Sequence, residues 1–305
     1  MKVGVPRGLL FCQYSSFYLN FFINLGVDVV TSEETNKEIL NDGIKYCVDE
    51  ACLPVKIFHG HCASLIGKCD YLFIPRIMKV YKDEYICPKF CGIGEMITND
   101  IPDLPQVIQD PIYADTKKHL KVWCYRVGKK FTKNLSTIEN AYKTALYKQQ
   151  NFQLGMNQEN FNIKIALLGH PYNVYDNYAN MNLMKKLNKL GIGIITEESA
   201  DIKEINDEMS SLYKKPFWTF ERKMYGFALN MYKDSSVDGF IYISSFACGI
   251  DSIVIELIKN QVKDFPFLEL KIDEQTGEVG FDTRLEAFTD MLYRKKNIVE
   301  KVNAI

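Results

Sequence analysis

The sequence predicts an α/β protein of two lobes, each an open, doubly wound parallel sheet of the flavodoxin or Rossmann type. Short, continuous apolar runs alternate with helical patterns, as in parallel strands that are covered on both faces. The segment LGVDVVTSEE at residues 25–34 recurs as LGIGIITEES at residues 190–199, which indicates an internal duplication. The chain has 305 residues, 47% of them hydrophobic, and this length allows two separate cores.

Each half offers the same elements in the same order: a first strand, a helix, a second strand and a third strand. Two further pairs of apolar runs agree with this plan; they are residues 2–6 with 164–168, and residues 70–75 with 238–244. A long polar helical pattern covers about residues 115–149, and the Asn- and Gln-containing segment 151–160 is predicted to be a linker. We therefore expect an N-terminal lobe at 1–150 and a C-terminal lobe at 151–305.

The charge balance of the chain argues against polyanionic partners. The 37 basic and 38 acidic residues are spread along the chain and give a net charge of -1, so no basic footprint for nucleic acid or an anionic membrane is present. The N-terminus lacks the apolar core of a signal peptide, and no run reaches the roughly 18 apolar residues of a membrane span. We expect a cytoplasmic protein, in which nine cysteines favour thiolate or metal chemistry over disulfides.

Three cysteines are predicted to lie at junctions between a strand and the helix that follows it. They are Cys52, Cys87 and Cys248. A helix N-terminus carries partial positive charge and free N–H groups, which favour thiolate over thiol. The local elements expected around these cysteines are helices at 54–66 and 251–259 and strands at 71–77 and 240–245. Ligands of parallel sheets bind at the carboxyl ends of the strands. We therefore interpret the three as metal ligands of one iron–sulfur cluster, in the cleft between the lobes.

Each of the remaining cysteines is either a further cluster ligand or a packing residue. Cys91, four residues after Cys87, is the strongest rival ligand, and Cys47 belongs either to a short strand or to the loop of the site. Packing positions are predicted for the other four, which are Cys12, Cys62, Cys69 and Cys124. A structural zinc site is the main inorganic alternative, but the paired CxxC units of zinc fingers and ribbons are missing from the sequence. Three ligands would leave one iron of a four-iron cluster open.

Several charged residues are expected near this edge. Arg7 and Arg76 each follow a predicted strand, where a cation would lower a thiolate pKa, although a surface salt bridge is equally expected. Glu50 is a candidate general base or a residue that favours the helix start, and His170 is a candidate catalytic or substrate-contacting group.

Two further histidines, His59 and His61, are read mainly as residues of a helix face, because side chains two positions apart on a helix point in different directions. The chain contains neither a Walker phosphate loop nor a GxGxxG after its first strand. We therefore expect the electrons to come from another protein.

Several stretches resemble the 2-hydroxyacyl-CoA dehydratase D-component-like family, in particular its small stand-alone or activase-associated members. They are VGVPRGLL at 3–10, VDEACLPVK at 48–56, IPR at 74–76, YICPK at 85–89, FACG at 246–249, DEQTG at 273–277 and TRLEAF at 283–288. These stretches cover nearly the whole chain and include Cys52, Cys87 and Cys248.

The resemblance implies two flavodoxin-like lobes that clamp a four-iron four-sulfur cluster on the three cysteines. It also implies an ATP-dependent activase that supplies low-potential electrons and a substrate that is an acyl-CoA or another small molecule. The implied reaction is a radical dehydration, which makes the protein a lyase, and the implied source is an anaerobe. Members of the family usually work as paired homologous subunits, and this chain is shorter than the usual subunit. The alternatives are a non-catalytic electron carrier or cluster-holding subunit, or a reductase with a double-cubane cluster.

Overall fold

The structure, a computed structural model, describes residues 1–212 and 214–303. The chain forms two compact units. The first consists of Met1–Gln153 with Pro216–Thr219, and the second of Leu154–Lys215 with Phe220–Ile305. The mixed α/β architecture with parallel sheets confirms the predicted fold class.

The first unit contains a parallel sheet of four strands. Its elements are β1 (Lys2–Val5), α1 (Phe11–Asn24), β2 (Asp28–Thr31), α2 (Lys37–Tyr46), α3 (Leu53–Ala63), β3 (Tyr71–Phe73), β4 (Ile77–Lys79), α4 (Pro88–Asp100), β5 (Gln106–Ile108), β6 (Ile112–Tyr113), α5 (Lys117–Gly128) and α6 (Leu135–Gln150). The strand order is β2-β1-β3-β5, and β4 pairs with β6 in a separate parallel ribbon. An aromatic cluster of Phe21, Phe22, Phe73 and Trp123 packs in the core of this unit.

The second unit contains another parallel sheet of four strands. Its elements are β7 (Ile163–Gly169), α7 (Pro171–Val174), α8 (Leu183–Lys189), β8 (Ile192–Thr196), α9 (Ile202–Asp207), α10 (Thr219–Lys233), β9 (Gly239–Ser245), α11 (Gly249–Val262), β10 (Phe267–Ile272) and α12 (Glu278–Asn303). The strand order is β10-β9-β7-β8. Every residue of β8 and β9 is buried, as expected for strands that are covered on both faces.

The two sheets repeat one plan, which supports the internal duplication. In each, the first strand lies between the second and the third, and the fourth pairs with the outer side of the third. The same hydrogen bond fixes the start of both first strands, since the backbone N–H of Lys2 donates to Asp70 and that of Lys164 donates to Asp238, each over 2.8 Å.

Two local predictions are corrected by the structure. The strand expected at 71–77 ends at Phe73, and β4 begins at Ile77, because Pro75 has no N–H to donate to a ladder and lies in a turn closed by the Ile77 N–H. The long helical pattern at 115–149 divides into α5 and α6. Asn134 provides the new helix start, since its side chain accepts hydrogen bonds from two backbone N–H groups of α6.

Candidate functional site

Four predicted site residues lie at helix N-termini. Cys52, Cys87 and Cys248 are the N-cap residues of α3, α4 and α11, and His170 is the N-cap residue of α7. Proline follows each of Cys87 and His170 directly, where its missing N–H costs nothing. The preceding strand was predicted correctly for Cys248, which follows β9. It was predicted wrongly for Cys52, which lies in the loop between α2 and α3.

In the second unit, the structure brings His170 and Cys248 together. His170 follows β7 and Cys248 follows β9, and these strands are neighbours in the sheet, so their carboxyl ends meet. The Cys248 Sγ lies 4.0 Å from the His170 Nε2. Ala247, with a φ of 59°, adopts the left-handed conformation just before Cys248, which makes the turn into α11 sharp.

A third group, Asp251, completes this cluster from the first turn of α11. Its Oδ1 lies 3.1 Å from the His170 Nε2 and accepts a hydrogen bond of 2.7 Å from the Tyr242 hydroxyl. The side chains of His170 and Asp251 are each only 2% exposed, whereas Cys248 is half-buried. Donor atoms of His170, Cys248 and Asp251 all lie within 4.8 Å of one another.

The electrostatics of the cluster favour a charged imidazole. Burial by itself lowers the pKa of His170, but the ion pair and hydrogen bond with Asp251 and the neighbouring Cys248 outweigh it and raise that pKa to about 10. Burial together with Asp251 also raises the pKa of Tyr242 well above its ordinary value. At neutral pH the raised pKa of His170 favours its charged form, and the Tyr242 hydroxyl remains a hydrogen-bond donor to Asp251.

Several polar atoms around the cluster are buried and have no hydrogen-bond partner in the described part of the chain. They are the His170 Nδ1, the Asp251 Oδ2 and the Asn173 Nδ2. The ring of His170 stacks on Tyr172 and meets the edge of Phe220, each with ring centroids 5.0 Å apart. The imidazole is thus held rigidly while retaining unused hydrogen-bonding capacity. Such capacity is what a bound ion or ligand would satisfy.

Acidic residues also follow β8, the third strand end of this edge. Tyr175 donates a 2.6 Å hydrogen bond to Glu198, and Lys223 pairs with the buried Glu197 at 2.8 Å. Burial and the neighbouring Glu197 raise the pKa of Glu198. These glutamates, Tyr242 and Asp251 were not predicted from the sequence. Only Asp251 carried a usable signal, because it lies three residues after Cys248 and hence on the same side of a helix start.

In the first unit, Arg76 braces the helix that begins after Cys87. Its Nε donates a 2.6 Å hydrogen bond to the backbone carbonyl of Cys91, and its Nη1 lies 2.8 Å from Glu95. Cys91 lies one turn into α4, on the same face as the N-cap position of Cys87. Burial raises the pKa of the Cys91 thiol, and Arg76 acts in the opposite direction.

The other predicted residues of the first unit have ordinary partners or surroundings. Arg7 lies after β1, where its side chain contacts Thr31 at 3.4 Å and pairs with the exposed Glu34 at 3.6 Å. Glu50 is exposed in the loop before Cys52. Cys47 ends α2 and is buried, and burial raises its pKa to about 11.

Both histidines of α3 are buried, in agreement with their reading as helix residues. The ring nitrogens of His61 meet the hydroxyls of Ser32 and Thr35 at 2.9 and 3.0 Å, and burial together with the Arg7 charge lowers its pKa to about 3. His59 contacts the backbone carbonyl of Val55 and lies 3.2 Å from Asp100.

The fold and these side chains define a class: a protein of two α/β units, each with a parallel sheet, that has thiols and an imidazole at the starts of helices. Residues 2–200 match the family described as CoA enzyme activase uncharacterised domain, and residues 109–292 match 2-hydroxyglutaryl-CoA dehydratase, D-component. Each match covers more than half of the chain, which therefore belongs to the 2-hydroxyglutaryl-CoA dehydratase D-component family. The resemblance noted in the sequence is confirmed.

No curated protein matches the chain at a significant level. Across the described residues, no helix combines the length and the apolar character that crossing a membrane requires.

Proposed function

We propose that this chain is an iron–sulfur component of a radical dehydratase system. In this proposal Cys52, Cys87 and Cys248 hold a four-iron four-sulfur cluster, and an ATP-dependent activase supplies low-potential electrons. The substrate is a 2-hydroxyacyl-CoA that loses water, or a related small molecule that is reduced. The observation that carries the proposal is the placement of all three cysteines as N-cap residues in a chain of the D-component family.

The chemistry of the thiols fits this donor set. The three proposed ligands are only partly buried, and none of their side chains makes a capping hydrogen bond to its own helix. By contrast, burial raises the pKa of Cys62 and Cys124, which keeps these thiols protonated and suits packing positions. When bound, an iron–sulfur cluster with three protein ligands supplies one-electron chemistry and one iron open to a substrate oxygen.

The surrounding residues are assigned roles in proton transfer and charge balance. His170 holds a proton on Nε2 next to Asp251, and we assign it as a proton donor to the departing oxygen of the substrate. Glu50, exposed just before Cys52, is assigned as a base for the substrate proton. Arg76 is assigned to hold the start of α4, since it binds the Cys91 carbonyl, and Arg7 contributes positive charge after β1.

The match of residues 2–200 to an activase-related domain favours a second candidate, in which the chain passes electrons without completing an active site. In that case the chain works with a paired homologous subunit that binds the substrate. Both candidates need the same three cysteines.

The first test is the iron and sulfide content of anaerobically reconstituted protein. We expect about four irons per chain, and loss of most of this iron in each of Cys52→Ser, Cys87→Ser and Cys248→Ser. Cys12→Ser and Cys124→Ser are the matched controls and should keep their iron, because these thiols lie within α1 and α5. A wild-type chain without iron contradicts both candidates, and equal loss in Cys91→Ser adds that residue to the ligand set.

The second test separates catalysis from electron transfer. The reconstituted chain is mixed with an activase, ATP and a 2-hydroxyacyl-CoA, and water elimination is followed. Product formation supports the dehydratase. Reduction of the chain by the activase with neither water elimination nor substrate reduction supports the electron carrier.

A further inference from the structure

The structure assigns a second metal site to this chain: His170, Cys248 and Asp251 form a three-donor site for a single divalent transition metal of the zinc type. The site lies entirely in the second unit and needs neither Cys52 nor Cys87. The site shares Cys248 with the proposed cluster, so the chain binds either the single metal ion or the iron–sulfur cluster, and not both at once.

The donor geometry is close to that of a tetrahedral ion. Zinc–ligand bonds of about 2.0–2.3 Å place neighbouring nitrogen and oxygen donors about 3.4 Å apart, and nitrogen and sulfur donors about 3.6 Å apart. In the structure, the His170 Nε2 lies 3.1 Å from the Asp251 Oδ1 and 4.0 Å from the Cys248 Sγ. Small side-chain rotations therefore bring all three donors to bonding distance of one ion, which displaces the protons of the His170 Nε2 and the Cys248 thiol to solvent.

Buried charge supplies an independent reason for a cation here. Asp251 is 2% exposed, and its Oδ2 has no hydrogen-bond partner within the described chain. A buried carboxylate oxygen without a partner is costly, and an ion held by both oxygens of the carboxylate removes that cost. The Tyr242 hydroxyl, bonded to the Oδ1 at 2.7 Å, fixes the carboxylate as the surrounding residues of metal sites commonly do.

The kind of metal follows from the donors. A thiolate, an imidazole and a carboxylate together suit zinc and its neighbours rather than magnesium or calcium, which prefer oxygen ligands alone. Three protein donors leave a fourth position for water or substrate, as in catalytic rather than structural zinc sites. Cys248 is half-buried, so an ion can reach the site from solvent.

Cobalt(II) is the probe for this site, because a thiolate ligand gives cobalt a charge-transfer absorption. Cobalt is titrated anaerobically into the full-length, iron-free chain. We expect one equivalent to bind with this absorption in the wild type, and also in Cys52→Ser and Cys87→Ser. Cys248→Ser should lose the absorption, and His170→Gln and Asp251→Asn should weaken binding at least tenfold.

A matched control is provided by the exposed His119, whose Nδ1 lies 2.7 Å from the Asp115 carboxylate. His119→Gln should leave cobalt binding unchanged. Circular dichroism identifies any variant of the buried His170 or Asp251 that fails to fold. The half-buried Cys248→Ser keeps the His170–Asp251 pair, so it decides the question alone if the others unfold.

Several outcomes would overturn the site. They are the absence of cobalt binding in the wild type, an unchanged absorption in Cys248→Ser, or loss of absorption in Cys52→Ser while Asp251→Asn stays normal. Iron and sulfide assays on the same variants keep this question apart from the cluster. Failure of the cobalt site leaves the reconstituted iron content intact, whereas failure of the cluster leaves cobalt binding intact.

Discussion

His61 in the first unit and His170 in the second are both almost fully buried, yet their pKa values are shifted in opposite directions. His61 meets two hydroxyls, and burial and Arg7 lower its pKa to about 3. His170 meets the carboxylate of Asp251, and its pKa rises to about 10 despite burial. The comparison teaches that the charge of a buried imidazole is decided by its partner, because burial alone always favours the neutral ring.

The two units share their strand plan, so the difference lies in the loops and helix starts that follow the strands. In the first unit, the cationic Arg7 follows β1. In the second unit, His170 follows β7, and Asp251 of α11 lies beside it. A duplicated scaffold thus carries a buried histidine bound by hydroxyls, His61, in one copy and the fully buried His170–Asp251 pair in the other. Three measurements test this contrast.

The largest expected effect comes from removing the carboxylate that charges His170. Asp251→Asn should lower the free energy of unfolding of the metal-free chain by about 3 kcal/mol, because it breaks a buried ion pair and weakens the bond from Tyr242. Asp100→Asn is the matched change at His59 in the first unit. Its cost should be about 1 kcal/mol, since Asp100 is 25% exposed.

Urea denaturation of the two variants, followed by circular dichroism, provides the measurement. Equal losses in Asp251→Asn and Asp100→Asn would show that burial of the carboxylate does not distinguish these pairs.

For a change of one pH unit, an intermediate effect is expected from acid. Since the folded pKa of His61 is about 3 and its unfolded value is about 6.5, the unfolded chain binds more protons between these pH values. His61 therefore contributes stability above pH 6.5 that is lost as pH falls toward 3, by up to about 1.4 kcal/mol for each pH unit. His61→Asn should flatten the pH dependence of unfolding in this window. An unchanged slope would mean that His61 is not held neutral in the folded chain.

The sequence was sufficient for features that depend on neighbouring residues. Continuous apolar runs predicted the parallel strands, and Cys–Pro placed Cys87 at a helix start, because proline fixes the first turn. The pairing of His170 with Asp251 was not predictable in this way. It depends on β7 lying beside β9, and an acidic residue in the first turn of α11 is equally explained by the helix dipole. Tyr242 resembles any other buried strand residue, so its hydroxyl contact left no pattern in the sequence.

The smallest expected effect concerns the hydrogen bond at the start of the first strand, which both units share. Asp70 and Asp238 each accept a hydrogen bond from the backbone of the first strand, but only Asp238 is also seen to pair with Lys296 of α12, at 3.1 Å, among the described residues. Asp70→Asn should cost about 0.5 kcal/mol because its bond is exposed, and Asp238→Asn about 1.5 kcal/mol.

Lys296→Ala separates the two contributions of Asp238, since it removes the ion pair and leaves the backbone bond in place. If the duplicated bond is equivalent in the two units, Asp238→Asn in a Lys296→Ala background should cost about the same as Asp70→Asn, within about 0.5 kcal/mol. Chemical denaturation measures each step. A larger remaining cost at Asp238 would place the difference in the burial of the strand start itself, and the two copies would then differ in their scaffold as well as at their helix starts.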